Sequence, residues 1–164
     1  MRESAESKTL IICVSIHHGN TRRIAEAMAE EIQADLVTPD QVCPEQLDDY
    51  DLVGWGSGIY FGRHAESLRQ LAIGLPCQPR QTFIFSTAGL PFLRAWFHAS
   101  LRTALQTREC TVVGEFSCRG WDTVGPLAWI GGIDRNHPDE NDLRRARSFA
   151  RSLISQSLST SIST

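Results

Sequence analysis

TLIICV at residues 9–14, running into SIHHGNT at residues 15–21, decides the fold of this chain. The first stretch is short, β-branched and continuously apolar, the pattern of a strand buried on both faces. The second breaks that run with Gly19 and Asn20. Ile24, Met28 and Ile32 then recur at four-residue spacing, with Ala25 and Ala29 beside them. This predicts an amphipathic helix that turns Arg22, Arg23, Glu26 and Glu30 outward.

The same alternation continues along the chain. Asp35–Val37 makes a second short strand, and residues 44–49 read as a polar turn or one helical turn. DLVGWG at 51–56 gives a third strand that ends in the glycine-rich stretch 56–62. Leu68, Leu71, Ala72 and Leu75 mark the next helix, and TFIFST at 82–87 is a fourth strand followed by a turn at 88–91. Leu93, Trp96, Phe97, Leu101 and Leu105 define a third helix. Residues 111–116 form a fifth strand, and 117–137 a long connection rich in glycine. Pro138 opens the last helix, with Asp139 and Asp142 as an acidic first-turn pair and Leu143, Ala146, Phe149, Ala150 and Leu153 as its buried stripe. Five apolar strands alternating with helices predict an α/β fold, a doubly wound parallel sheet with helices on both faces. One domain is expected over residues 9–154, with 1–8 and the polar 155–164 as flexible termini.

Composition narrows the class. The 164 residues suit one hydrophobic core. A hydrophobic fraction of 41% and a mean hydropathy of −0.20 exclude a membrane span and global disorder. A net charge of −3 argues against non-specific nucleic-acid binding. Five cysteines at irregular spacing, with no CxxC pair, indicate free thiols rather than a disulfide framework or a zinc site. No signal peptide is read in residues 1–8, so a cytoplasmic setting is expected.

In an open α/β sheet, ligands bind beyond the carboxyl ends of the strands. The loops expected there are SIHHGNT at 15–21, SGIYFG at 57–62, STAGLP at 86–91 and SCRGWDT at 117–123. The first joins a buried strand to a helix start, where free N–H groups and the helix dipole favour an anion. Ser15, Asn20 and Thr21 add side-chain donors and Gly19 permits close backbone approach, which suits a terminal phosphate. Asn20 or Thr21 as a plain helix cap is the competing reading. A Walker-type loop is excluded because lysine and the first glycine are missing, and GWGSGI at 54–59 is not the dinucleotide GxGxxG. No acid/base constellation, HExxH or other metal motif is visible, so neither catalytic residues nor a metal is assigned.

The pattern Ser15-x-x-His18-Gly19-Asn20-Thr21, then Trp55-Gly-Ser-Gly-Ile-Tyr60, then Ser86-Thr-Ala-Gly89, resembles flavodoxin. The resemblance extends to VGEFSC at 113–118 with Gly120, and to Asn136-x-Pro138-x-Glu140-x-Asp142-Leu143, covering residues 9–153. It implies a five-stranded sheet of order 2-1-3-4-5 and non-covalently bound FMN. The positions matching the family's phosphate loop are Ser15, His17, His18, Gly19, Asn20 and Thr21. Ser57, Gly58, Ile59, Tyr60 and Phe61 match its first ring-binding loop, and Thr87, Ala88, Gly89 and Leu90 its second. Tyr60 would stack on the flavin, and Gly56 and Gly58 would keep that loop's backbone adjustable. Cys118 falls beside the expected pocket mouth, either approaching flavin or substrate or standing as an inert thiol. Trp121 and Asp122 would cover the site, while Trp55, Trp96 and Trp129 read as packing residues. The implied role is electron transfer with a redox partner protein or a small-molecule donor or acceptor. The alternatives are an FMN-dependent oxidoreductase of quinone or porphyrinogen-like substrates, and a flavin-free binding module on the same fold. The modest acidity departs from the many flavodoxins that dock on basic partners.

Overall fold

The computed structural model describes residues 7–16, 19–120 and 137–161. Its strands are β1 (Thr9–Val14), β2 (Asp35–Val37), β3 (Leu52–Tyr60), β4 (Arg63–His64), β5 (Arg80–Ala88) and β6 (Cys110–Arg119). The helices are α1 (Asn20–Ile32), α2 (Glu66–Gly74), α3 (Arg94–Gln106) and α4 (Glu140–Ser161). The main sheet is parallel and doubly wound, as the alternation predicts, and its order β2-β1-β3-β5-β6 is the one the flavodoxin resemblance implied. The sixth strand is β4, which pairs antiparallel with the end of β3.

Side-chain alternation along each strand divides the interior into two cores. Ile11, Leu52, Phe83, Phe85 and Phe116 pack against Ile24, Met28, Ala146 and Ala150 of α1 and α4. Leu10, Ile12, Val53, Trp55 and Ile84 pack against Leu68, Ala72, Leu101 and Leu105 of α2 and α3. The apolar stripes read from helical spacing close these layers, except that Leu93 and Trp96 of the third helix's stripe are exposed and belong to neither core.

Two readings of β3 change. It runs to Tyr60 rather than stopping at Gly56, and the glycines serve packing instead of loop mobility. Gly54 and Gly56 stand in register with Phe83 and Phe85, whose rings fill the space a Cβ would need. The stretch read as an open loop is a hairpin: Phe61 (φ 49°) and Gly62 (φ 77°) form a two-residue turn between the paired Tyr60 and Arg63. Positive φ at both positions suits the twist of the strands it joins. Likewise, β6 extends to Arg119 and α4 to Ser161, so residues read as a connection and a tail begin inside regular structure. Asp139 and Asp142 do start α4, each carboxylate accepting from the other's backbone N–H, at 2.9 and 3.2 Å.

Candidate functional site

The carboxyl ends of β1, β3 and β5 bring the expected residues to one edge of the sheet. Ser15 follows β1 directly. Its Oγ is buried and has no hydrogen-bond partner among the described residues. A small cavity of about 120 Å³ lies there, lined by Ser15, Arg22, Val37, Thr38 and Gln41 among others. Gly19 is the N-cap of α1 (φ 67°) and, lacking a side chain, supplies no acceptor to the first-turn N–H groups. Asn20 and Thr21 lie inside the helix, both buried, so neither is the cap. His17 and His18 lie outside the described residues, as do Trp121, Asp122 and Trp129.

Thr21 reaches across to the second expected loop. Its Oγ1 lies 2.7 Å from Oγ1 of Thr87, at the end of β5. Ala88 accepts a hydrogen bond from the Gly120 N–H at 3.3 Å, which draws the end of β6 onto the same node. Gly89 is half-buried and Leu90 exposed. Tyr60 folds back over Gly58, and its hydroxyl accepts the Ile16 N–H at 3.3 Å, linking the β3 end to the loop after β1. Phe61 is 93% exposed at the hairpin tip. Trp96, read as a packing residue, is exposed and lies against Gly62, whereas Trp55 is fully buried. Arg22 pairs with Glu26 at 2.8 Å on the surface.

Ser57 is turned inward. Its hydroxyl donates to the Gly58 carbonyl (2.7 Å), accepts the Ala65 N–H (3.0 Å) and meets Nδ1 of His64 at 2.8 Å. With the only hydroxyl hydrogen spent on Gly58, Nδ1 of His64 must donate. Its Nε2 is therefore a bare acceptor, buried and without a partner among the described residues. Cys118 is buried in the α1/α4 core and not at a pocket mouth, and burial pushes its thiol far up. That environment fits the inert reading.

The composition of the loops gave no hint of the polar row beneath them. Ser57, Ser86 and Ser117 stand in register across β3, β5 and β6, facing α2 and α3. Ser86 Oγ contacts Ser117 Oγ at 3.0 Å and His98 Nε2 at 2.8 Å. His98 Nδ1 lies 3.2 Å from Glu115 Oε2, and Arg102 grips the same carboxylate at 2.5 and 2.9 Å. Burial holds both imidazoles down, His98 to about 4. Burial alone would raise Glu115, but Arg102 and His98 outweigh it and keep the carboxyl below its usual range. The signal for these residues is the spacing that places each serine on the α2/α3 face, legible only once strand register is known. Ser117 also borders a cavity of about 520 Å³ between the starts of α3 and α4, lined further by Phe92, Arg94, Arg119, His137 and Arg145.

Residues 11–76 match the family model described as a flavodoxin domain. The uncharacterized protein MJ0298 of Methanocaldococcus jannaschii is 44% identical over 147 residues, covering 90% of this chain and 98% of that protein. Two solved flavodoxins superpose over 91% of the chain: one from the domain Archaea (TM-score 0.60, 15% identity, 97% of its length) and oxidised flavodoxin 2 from Bacillus cereus (TM-score 0.66, 18% identity, 99%). Identities that low speak for the fold alone, and it is the fold built above strand by strand. With the domain match over residues 11–76 and a close relative spanning almost the whole length, the chain belongs to the flavodoxin-like family.

Proposed function

We propose that the protein binds FMN non-covalently at the ends of β1, β3 and β5 and transfers electrons through it. The observation that carries this reading is Ser15 Oγ, a buried hydroxyl with no partner, beside a helix start whose cap supplies no acceptor. A buried polar atom left unsatisfied costs about 1–3 kcal/mol, and a phosphate oxygen would relieve it. The residues present fit the group. Ser15, Gly19, Asn20 and Thr21 would hold the phosphate, with His17 and His18 in the same loop. Gly58, Ile59, Tyr60, Phe61, Thr87, Ala88, Gly89 and Leu90 would border the ring, and Ser57 would support them from beneath. Bound there, flavin would supply one- or two-electron chemistry, while the chain supplies orientation and electrostatics. Partners are a redox protein or a small-molecule donor or acceptor. No helix among the described residues is long and apolar enough to cross a membrane. The five free cysteines support a reducing compartment such as the cytoplasm.

A second reading, an FMN-dependent oxidoreductase of quinone-like substrates, is favoured by the 520 Å³ cavity that adjoins the β5 loop. Purified protein incubated with FMN should retain flavin absorbance bands after desalting; their loss would remove both readings. Steady quinone turnover with NAD(P)H, without an added reductase, would select the enzyme over the carrier.

A further inference from the structure

Every hydrogen in the buried row from Ser117 to Glu115 has an assignable place. Glu115, ionised and gripped by Arg102, only accepts, so His98 donates from Nδ1. The neutral imidazole then offers a lone pair at Nε2, which takes the Ser86 hydroxyl hydrogen. Ser86 has no second hydrogen, so Ser117 donates to it. Towards the cavity Ser117 is left with lone pairs alone. One end of the row meets that cavity, and the other reaches the surface at Glu115, whose side chain is 18% exposed.

We propose that Ser117, Ser86, His98 and Glu115 form a proton relay, and that a quinone- or quinol-type ligand in the cavity between α3 and α4 exchanges its hydroxyl proton with the protein at Ser117 Oγ. The proposal rests on the oxidoreductase reading above. In the direction set by the resting hydrogen bonds, the ligand O–H breaks and its electron pair stays on the ligand oxygen. The proton joins Ser117 Oγ, the Ser117 proton passes to Ser86, and the Ser86 proton passes to His98 Nε2. The resulting imidazolium gives its Nδ1 proton to the Glu115 carboxylate, which passes it to water. When a quinone is reduced, bound flavin would supply two electrons and one proton as hydride, and the second proton comes through the row with its hydrogen bonds inverted. His98, carrying its hydrogen on Nε2, gives it by way of Ser86 and Ser117 to the ligand oxygen and takes another at Nδ1 from Glu115, which solvent has protonated. The charged groups around His98 are Glu115 on β6 and Arg94 and Arg102 on α3, with the His64 ring of β4 at 5.0 Å and Arg69 of α2 acting on His64. Burial keeps the imidazolium a state passed through rather than stored.

The test compares an acceptor that needs protons with one that does not. FMN-loaded protein is reduced with dithionite and mixed with duroquinone, whose substituted ring cannot add to exposed Cys43 or Cys77, or with ferricyanide. Ser86→Ala and Ser117→Ala should each slow oxidation by duroquinone roughly tenfold or more and leave ferricyanide within about twofold. Equal slowing of both acceptors, or of neither, would overturn the relay. In the FMN-free protein, ¹⁵N shifts of His98 should show a protonated Nδ1 and a bare Nε2. A protonated Nε2 would refute the assigned direction without touching the flavin reading. Loss of flavin binding by wild-type protein would remove the flavin reading and, with it, the relay's role in quinone reduction, whereas the ¹⁵N shifts test the hydrogen-bond direction independently.

Discussion

Thr21 and Thr87, 66 positions apart in sequence, bring their hydroxyl oxygens to 2.7 Å inside the protein. The contact ties the first turn of α1 to the end of β5, so the loop proposed for phosphate and a loop proposed for the ring share one anchor. Thr21→Ala should cost about 1 kcal/mol of stability and weaken FMN more than riboflavin. Paired fluorescence titrations check this; equal losses for both ligands would place Thr21 outside the phosphate site.

The histidine pair beneath the sheet makes stability fall in mild acid. An unfolded histidine titrates near 6.5, whereas burial holds His98 at about 4 and His64 below its usual value. Between those limits the unfolded chain binds more protons than the folded one, so stability present above pH 6.5 is lost as pH falls towards 4. For His98 the full loss is on the order of 3 kcal/mol. Urea midpoints at pH 7.5 and 4.5 measure the drop, and His98→Gln, if folded, should shrink it.

Packing over β3 predicts opposite fates for two glycines. Gly56→Ala drives a methyl into the Phe85 ring in a dense core and should cost about 1–3 kcal/mol or more. At Gly74, which ends α2, no neighbouring atom lies within 4 Å of the place an added methyl would take. Gly74→Ala should therefore be neutral or stabilise by up to about 1 kcal/mol. Thermal melts of the two variants decide it.

Thiol reactivity should divide by burial. Cys13, pushed up to about 12, Cys118 and Cys110 are buried, while Cys43 and Cys77 are exposed. A thiol reagent at pH 8 should titrate two cysteines in the folded protein and five in denaturant. Rapid reaction of Cys118 in the native state would contradict its inert role.

The fold is legible in the sequence because buried parallel strands and amphipathic helices leave different periods, as in TLIICV against Ile24, Met28 and Ile32. The loop proposed for phosphate is legible as a strand-to-helix junction because strand, glycine and helix start are contiguous there. Gly54 and Gly56 are not, since their reason is the facing Phe83 and Phe85 rings on another strand. His64, His98 and Glu115 escape notice for the same cause. Each lies in a different element, and only the register of Ser57, Ser86 and Ser117 brings them together.

If the helix start at Gly19–Thr21 and the unpartnered Ser15 hydroxyl hold the phosphate of FMN, the phosphate itself must contribute to affinity. Quenching of FMN fluorescence on titration with flavin-free protein measures this, run beside riboflavin and repeated with Ser15→Ala. Saturable quenching is expected, tighter for FMN than for riboflavin, with the difference reduced in the variant. No quenching, or equal affinity for both flavins, would refute the phosphate site.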